Sequence, residues 1–160
     1  MEYKIVIAID PGINTGVAVF KDKTSLPETH VFSVEKFCKT HEDKLLSLCQ
    51  QLNKALSIYE TRGALVLIEG VQVWGSAVSH AAAARGDLSF LAYIVGVYYT
   101  LCAVEYSVET LIIKPTDWKG QLTETALREW IRRDTGMVYE NEHVLSAVGL
   151  GILTKGRLWQ

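Results

Sequence analysis

Two acidic side chains stand where apolar strands should end. Asp10 closes the run IVIAID and is followed by Pro11-Gly12, with a second apolar run opening at Gly16; Glu69 closes the run ALVLIE. Ends of adjacent strands can bring two such side chains within a few ångströms. Like charges held that close are unfavourable unless a cation or a shared proton compensates. Asp10 leaves three readings open: an acid that marks a strand meeting a turn, a phosphate loop, or a metal site. Turns of the type Asp-x-Gly-x-Thr-Gly can face nucleotide phosphates with backbone amides. Proteins that use them so need two such domains around a cleft, and no second glycine-rich phosphate turn is found.

The elements that must position these acids alternate between strand and helix. YKIVIAID is nearly all apolar and β-branched, as a central strand covered on both faces requires. GVAVFK reads as its antiparallel partner across a short loop, and THVFSV as a third strand. HEDKLLSLCQQLNKALSIY sets Leu45, Leu48, Cys49, Leu52, Ala55, Leu56 and Tyr59 on one helical face, with Thr40 as N-cap. ALVLIE is the fourth strand, and a long helix is expected from Ser76 to about Ala103, loosened near Gly86. YSVETLIIK contains a fifth strand, and TETALREWIRR and NEHVLSAVGLGIL close the chain as helices. The order βββαβαβαα predicts an α/β architecture, a mixed five-stranded sheet with helices on both faces.

Composition narrows the function classes. At 160 residues, residues 1–160 are expected to form a single domain, and 49% hydrophobic with 21% charged residues excludes a disordered chain. A net charge of −2 gives no overall basic field, so a nucleic-acid partner needs a local patch. Cys38, Cys49 and Cys102 lie far apart without a CxxC, which suggests neither a disulfide framework nor a zinc site and fits core thiols in a reducing compartment. No leader is expected, because the N-terminus runs straight into a strand. Ser89 to Val104 carries no charge, but a spanning helix wants about 20 apolar residues. Tyr93, Tyr98, Tyr99 and Thr100 lie within it and Asp87 and Glu105 bracket it, so a buried helix outside any membrane is expected.

The blocks resemble a known family. IAIDPGINTGVAVF resembles the opening strand of the RuvC family of Holliday junction resolvases, whose fold is ribonuclease H-like. VLIEGVQVW looks like the second acidic strand, AAARG like the start of its long helix, and IIKPTDWK like the strand leading to a basic loop. NEHVLSAVGLGI looks like the C-terminal helix bearing the remaining catalytic groups, and the loose spelling is closer to a phage-type branch.

The resemblance implies metal-dependent phosphodiester hydrolysis. Two Mg²⁺ ions about 4 Å apart, with Mn²⁺ able to substitute, can activate water and stabilise the leaving oxygen if carboxylates hold them. By the family's pattern Asp10 bridges both ions, Glu69 ligates one, and the final helix adds a pair at i and i+3, here His143 and Ser146. The metal ligands implied are Asp10, Glu69 and His143. Ser146 departs from the pattern, which carries Asp there, and a neutral hydroxyl cannot replace that charge. Glu142, one turn earlier, could swing in as the missing acid; His143 with two acids could suffice at lower activity; or the serine, natural or introduced, inactivates the chain.

The implied partners are branched DNA and a second copy of the chain. Trp74 is either an aromatic wedge that stacks on bases at a crossover or a core residue. Lys114 and Lys119 flank Pro115 in an expected loop and are phosphate-contact candidates. Arg85, Arg128, Arg132 and Arg133 are candidates for a basic rim, the last two equally a solvated helix face. A two-fold symmetric junction needs two outward-facing sites about one dyad, and the long apolar helix, with the His80 to Arg85 turn nearby, is expected at a homodimer interface. The expected protein is a cytoplasmic junction-resolving endonuclease, acting in a bacterial host if phage-encoded. A junction-binding protein that has lost cleavage, and a nuclease for flaps, other branched DNA or RNA, are the alternatives.

Overall fold

The computed structural model describes residues 3–22, 25–72, 81 and 86–158. Five strands, β1 (Ile5–Asp10), β2 (Asn14–Phe20), β3 (Glu28–Ser33), β4 (Ala64–Glu69) and β5 (Glu109–Ile113), form one sheet in the order β3-β2-β1-β4-β5. β2 runs antiparallel to β1 and β3, while β1, β4 and β5 are mutually parallel. Central position explains the composition of β1 and β4. Val6 to Ile9 and Leu65 to Ile68 are all fully buried, as strands covered on both faces must be.

Each sheet face has its own core. Ile7, Ile9, Val66 and Ile68 face a first core under α1 (His41–Leu56) and α2 (Asp87–Thr100). Val6, Ala8, Leu65 and Leu67 face a second core under α3 (Pro115–Trp118), α4 (Glu124–Thr135) and α5 (Glu142–Leu158). The α1 start is the expected one: Thr40 accepts from the Asp43 amide at 3.1 Å and the Asp43 carboxylate accepts from the Thr40 amide at 3.3 Å, a capping box.

Three expectations need correction. The segment between Lys114 and Lys119 is not a loop but the one-turn helix α3, with Pro115 at its first position and Trp118 buried beneath it. Gly86 does more than loosen a helix; it is the N-cap of α2 at φ 81°, a left-handed conformation in which no helix continues. Most of the expected helix from Ser76 to Gly86 lies outside the described residues. At its other end α2 passes Ala103 in a π-helical turn, Leu101–Glu105.

The combined segment Asp87–Glu105 has a mean hydropathy of 1.6 and is long enough to cross a membrane. Phe90, Ile94, Tyr98 and Cys102 nevertheless bury one face of it in the first core, against the sheet. That packing is the pattern of a core helix.

α5 lies unusually close to β2. A Cβ built on Gly16 would stand 2.2 Å from the carbonyl carbon and oxygen of His143, and one on Gly151 would stand 2.1 Å from the Phe20 ring. Only glycine admits this approach at position 16, because the obstacle is backbone. Gly16→Ala is therefore expected to lower stability by about 3 kcal/mol, the upper range for overpacking, read as a fall in the urea midpoint. Gly96→Ala, in open space within α2, should instead raise it by up to about 1 kcal/mol.

Candidate active site

Strand register puts the two carboxylates together. β1 and β4 are parallel with Ile9 beside Ile68, so Asp10 and Glu69 come level at the same sheet end. Side chains alternate along a strand. Asp10 follows Val6 and Ala8, and Glu69 follows Leu65 and Leu67, so both acids face the second core. α5 packs on β1 and β2 across that face. Asn141 starts it, accepting from the amides of His143 at 3.0 Å and Val144 at 3.1 Å.

Each acid has acquired one basic partner. His143 Nδ1 donates to Asp10 Oδ2 at 2.9 Å. Lys119 Nζ donates to Glu69 Oε1 at 2.8 Å and lies 4.9 Å from the centre of the Trp118 ring. The Glu69 side chain is 9% exposed, and its Oε2 is buried with no hydrogen-bond partner among the described residues. Burial, then the charge of Asp10, raises the Glu69 carboxyl above its ordinary value, while Lys119 and His143 oppose the rise. The hydrogen bond to Asp10 raises His143 above its ordinary value, aided by the charges of Asp10, Glu142 and Glu69 and opposed by burial.

The turn after Asp10 is held from below. Thr15 Oγ1 accepts from the Gly12 amide at 3.2 Å and donates to the Gly12 carbonyl at 2.8 Å. Its single proton is thereby engaged, so the buried Tyr98 hydroxyl of α2 donates to Thr15 Oγ1 at 2.9 Å. The Gly12 amide faces Thr15 instead of an open anion cradle, which weakens the phosphate-loop reading of this turn.

A cleft of about 240 Å³ opens beside Asp10, lined by Asp10, Lys119, Glu124, Glu142, His143 and Ser146 with Leu122 and Leu127; Glu69 lies behind Lys119 and does not line it. Five of these were expected from sequence. Glu142 lies on the other edge of the imidazole, its Oε1 3.8 Å from His143 Nε2. Lys119 was read as a phosphate contact, and the structure sets it on Glu69. Lys114 is exposed at the start of α3. Trp74 and Arg85 lie outside the described residues. The rim arginines are partly engaged: Arg128 is held by Glu124 at 2.8 Å and by the Tyr139 carbonyl, and Arg132 by Glu129 at 2.9 Å. Glu124 was missed. An acid in the first turn of a helix is routine, so its type and position carried no signal.

Among the described residues, no three acid, histidine or cysteine side chains stand together as a ready-made cage for an ion. The donor chemistry nonetheless suits a hard cation: two carboxylates converge, and one buried oxygen lacks a partner. The larger cavity of about 720 Å³ lies elsewhere, on the α1–α2 side, and its apolar lining offers one acid, Glu105. The chemistry belongs to the smaller cleft.

No family model matches the sequence, and none of the curated proteins matches it. Solved structures do. Thermus thermophilus RuvC in complex with a Holliday junction substrate superposes at a TM-score of 0.67 with 18% identity, over 93% of this chain and 91% of that chain. A second Thermus thermophilus RuvC structure gives 0.63 and 17%, over 93% and 92%. The chain has the RuvC fold. That fold is the ribonuclease H-like one the resemblance implied, its mixed five-stranded sheet is the one the order of elements predicted, and at these identities the likeness is one of architecture.

Both raised groups give one sign of pH dependence. A group that holds its proton more tightly when folded stabilises the protein below its unfolded pKa and loses that contribution as pH rises through the folded value. For Glu69 the loss begins above 4.5, and for His143 above 6.5. The exposed Glu28 and Glu129 are lowered and act below 4.5, outside this range. In metal-free buffer the melting temperature should therefore fall from pH 5 to pH 8. Glu69→Gln should flatten the lower part of that slope and His143→Gln the upper part.

Proposed function

We propose that this chain is a metal-dependent endonuclease that cuts four-way DNA junctions. The observation that carries the reading is the convergence of Asp10 and Glu69 at one sheet end, with Asp10 sharing a cleft with His143 and Ser146. It is supported by a fold shared over most of its length with a RuvC bound to a Holliday junction substrate. Asp10, Glu69 and His143 would hold the cations, Mg²⁺ or Mn²⁺. When bound, such ions activate a water and offset charge on the leaving oxygen.

The protein's own groups have separable tasks. Asp10 and Glu69 supply negative charge in a largely buried setting, where it is screened weakly. His143 orients Asp10 through Nδ1 and turns Nε2 toward the Glu142 side of the cleft, where it can hold a proton. Lys119 compensates Glu69 in the resting protein and, once that acid is otherwise neutralised, would be released to meet a phosphate. Tyr98 and Thr15 hold the turn that follows Asp10. Lys114 and, outside the described residues, Trp74 and Arg85 are the proposed DNA contacts. The reaction adds water across one P–O bond of each of two strands.

Paired cuts need two copies. Tyr93, Tyr99 and Val104 of the α2 segment are 66%, 40% and 70% exposed in the single chain. Tyr93 and Val104 line the 720 Å³ groove, and we assign that face to a homodimer, with the whole chain acting as one catalytic unit in the cytoplasm. Tyr93→Glu and Val104→Glu together are expected to yield monomers by analytical ultracentrifugation, with the helical circular dichroism unchanged.

Ser146 keeps a second reading, a junction-binding protein with little cleavage. A synthetic four-way junction in Mg²⁺ separates the two. Paired symmetric nicks are expected, lost by more than about 100-fold in Asp10→Asn, beyond what an outer-shell substitution costs. Tight junction binding without nicking, restored to cleavage by Ser146→Asp, would support the second reading. Neither binding nor nicking would leave only the fold in common.

A further inference from the structure

We infer that a groove between α3, α4 and α5 is a stacking subsite for one unpaired DNA base next to the cleft. The inference rests on the nuclease reading and names a part of the substrate that this surface takes. The groove encloses about 430 Å³, within the range of sites that hold small ring systems. Two indoles, Trp118 and Trp130, line it with Leu122 and Leu153, and Glu129 and Arg133 stand beside them. Ala126, Glu129, Trp130 and Arg133 follow helical spacing, so α4 turns one stripe toward the groove, about 10 Å long from Ala126 to Arg133. Trp130 packs on the second core and is only half-buried, which leaves part of its ring to a ligand.

Three observations select a nucleotide as the occupant. The groove adjoins the cleft: Leu122, 45% exposed, lines both, and Trp118 of the groove is followed directly by Lys119 of the cleft. A strand whose phosphate meets Lys119 therefore has its neighbouring base within reach of Leu122 and the indoles. The charge on the groove suits a second phosphate. Arg132 takes both oxygens of Glu129, at 2.9 and 3.1 Å, and leaves Arg133 exposed with no ion pair among the described residues. Trp118 supplies the third observation. Its six-membered ring is seated against α5, where a Cβ on Gly149 would stand 2.8 Å from Cζ3, and its Nε1 is buried with no acceptor among the described residues. An indole N–H only donates, and base edges carry the carbonyl and ring-nitrogen acceptors that an aliphatic ligand lacks. Aromatic faces set beside positive charge hold unpaired nucleotides of any sequence, because every base has a π-face.

The test uses the full chain with a four-way junction in Ca²⁺, in which 5-iododeoxyuridine replaces each base flanking the crossover in turn, and melting curves verify folding. Irradiation is expected to crosslink one of those positions to the tryptic peptide that holds Trp130. Trp130→Phe should keep the crosslink, whereas Trp130→Ala should lose it and bind the junction about 10-fold more weakly, the loss of one base–aromatic stack. Arg133→Gln should lower the slope of log affinity against log salt by about one. Junction binding by the parent with no crosslink in the groove, or with an affinity unchanged in Trp130→Ala, overturns the subsite and leaves the nuclease reading intact. Parent-like binding by a Trp130→Ala chain that has become monomeric in the analytical ultracentrifuge assigns the groove to a second copy and overturns the subsite too. Should Trp130→Ala fail to fold, an unchanged salt slope in Arg133→Gln decides against the subsite. Neither binding nor nicking by the parent overturns both.

Discussion

Two carboxylates side by side at the ends of parallel strands are the constraint around which this structure is arranged. Asp10 and Glu69 are level, on one sheet face, and largely withdrawn from water. Their repulsion is one reason Glu69 holds its proton above the ordinary range. Charges so placed cost free energy unless compensated. The compensation comes from two elements distant in sequence, α5 through His143 and the end of α3 through Lys119. The second core therefore does more than bury apolar surface. It fixes the distance at which the cations meet the acids.

That fixing depends on small residues and short elements. Gly16 lets the α5 backbone settle against β2, and this close approach sets His143 Nδ1 within hydrogen-bond range of Asp10. Pro115 starts a helix of a single turn, whose end delivers Lys119 to Glu69 and whose buried Trp118 supports the lysine stem. On the opposite face Tyr98 meets Thr15 within the first core and holds the turn that carries Asp10 onward. The two sheet faces are thus joined at the site: the first core steadies the Asp10 turn, and the second steers the groups that answer its charge.

Much of this was legible in the sequence where local pattern and burial agree. The strands β1 and β4 were plain because strands covered on both faces must be continuously apolar, which leaves a terminal acid conspicuous. The capping box at Thr40 and the amphipathic face of α1 were equally local. His143 and Ser146 were paired by the resemblance, and their i, i+3 spacing sets them on one helix face. What was not legible depended on contacts across the fold. Nothing near Lys119 says that its partner is Glu69, and a lysine beside a proline is read as a surface loop by default. The α3 turn is too short to show a period. Glu124 is unremarkable in sequence, since acids favour helix starts whatever lies opposite. Gly86 was seen as a weakness, whereas its left-handed backbone made it a boundary.

The distribution of positive charge bears on how a chain of net charge −2 meets a polyanion. Arg128, Arg132 and Lys119 each face an internal partner, so the described residues present a sparser basic surface than a count of lysines and arginines suggests. One of those pairs involves an acid of the cleft, Glu124, and another the neighbouring buried acid, Glu69. On the nuclease reading proposed above, a divalent cation held by Asp10 and Glu69 would compete with Lys119 for Glu69 and leave the lysine with unmatched charge beside the cleft. Affinity for a phosphate backbone would then be coupled to metal occupancy by the reciprocity that any such linkage obeys.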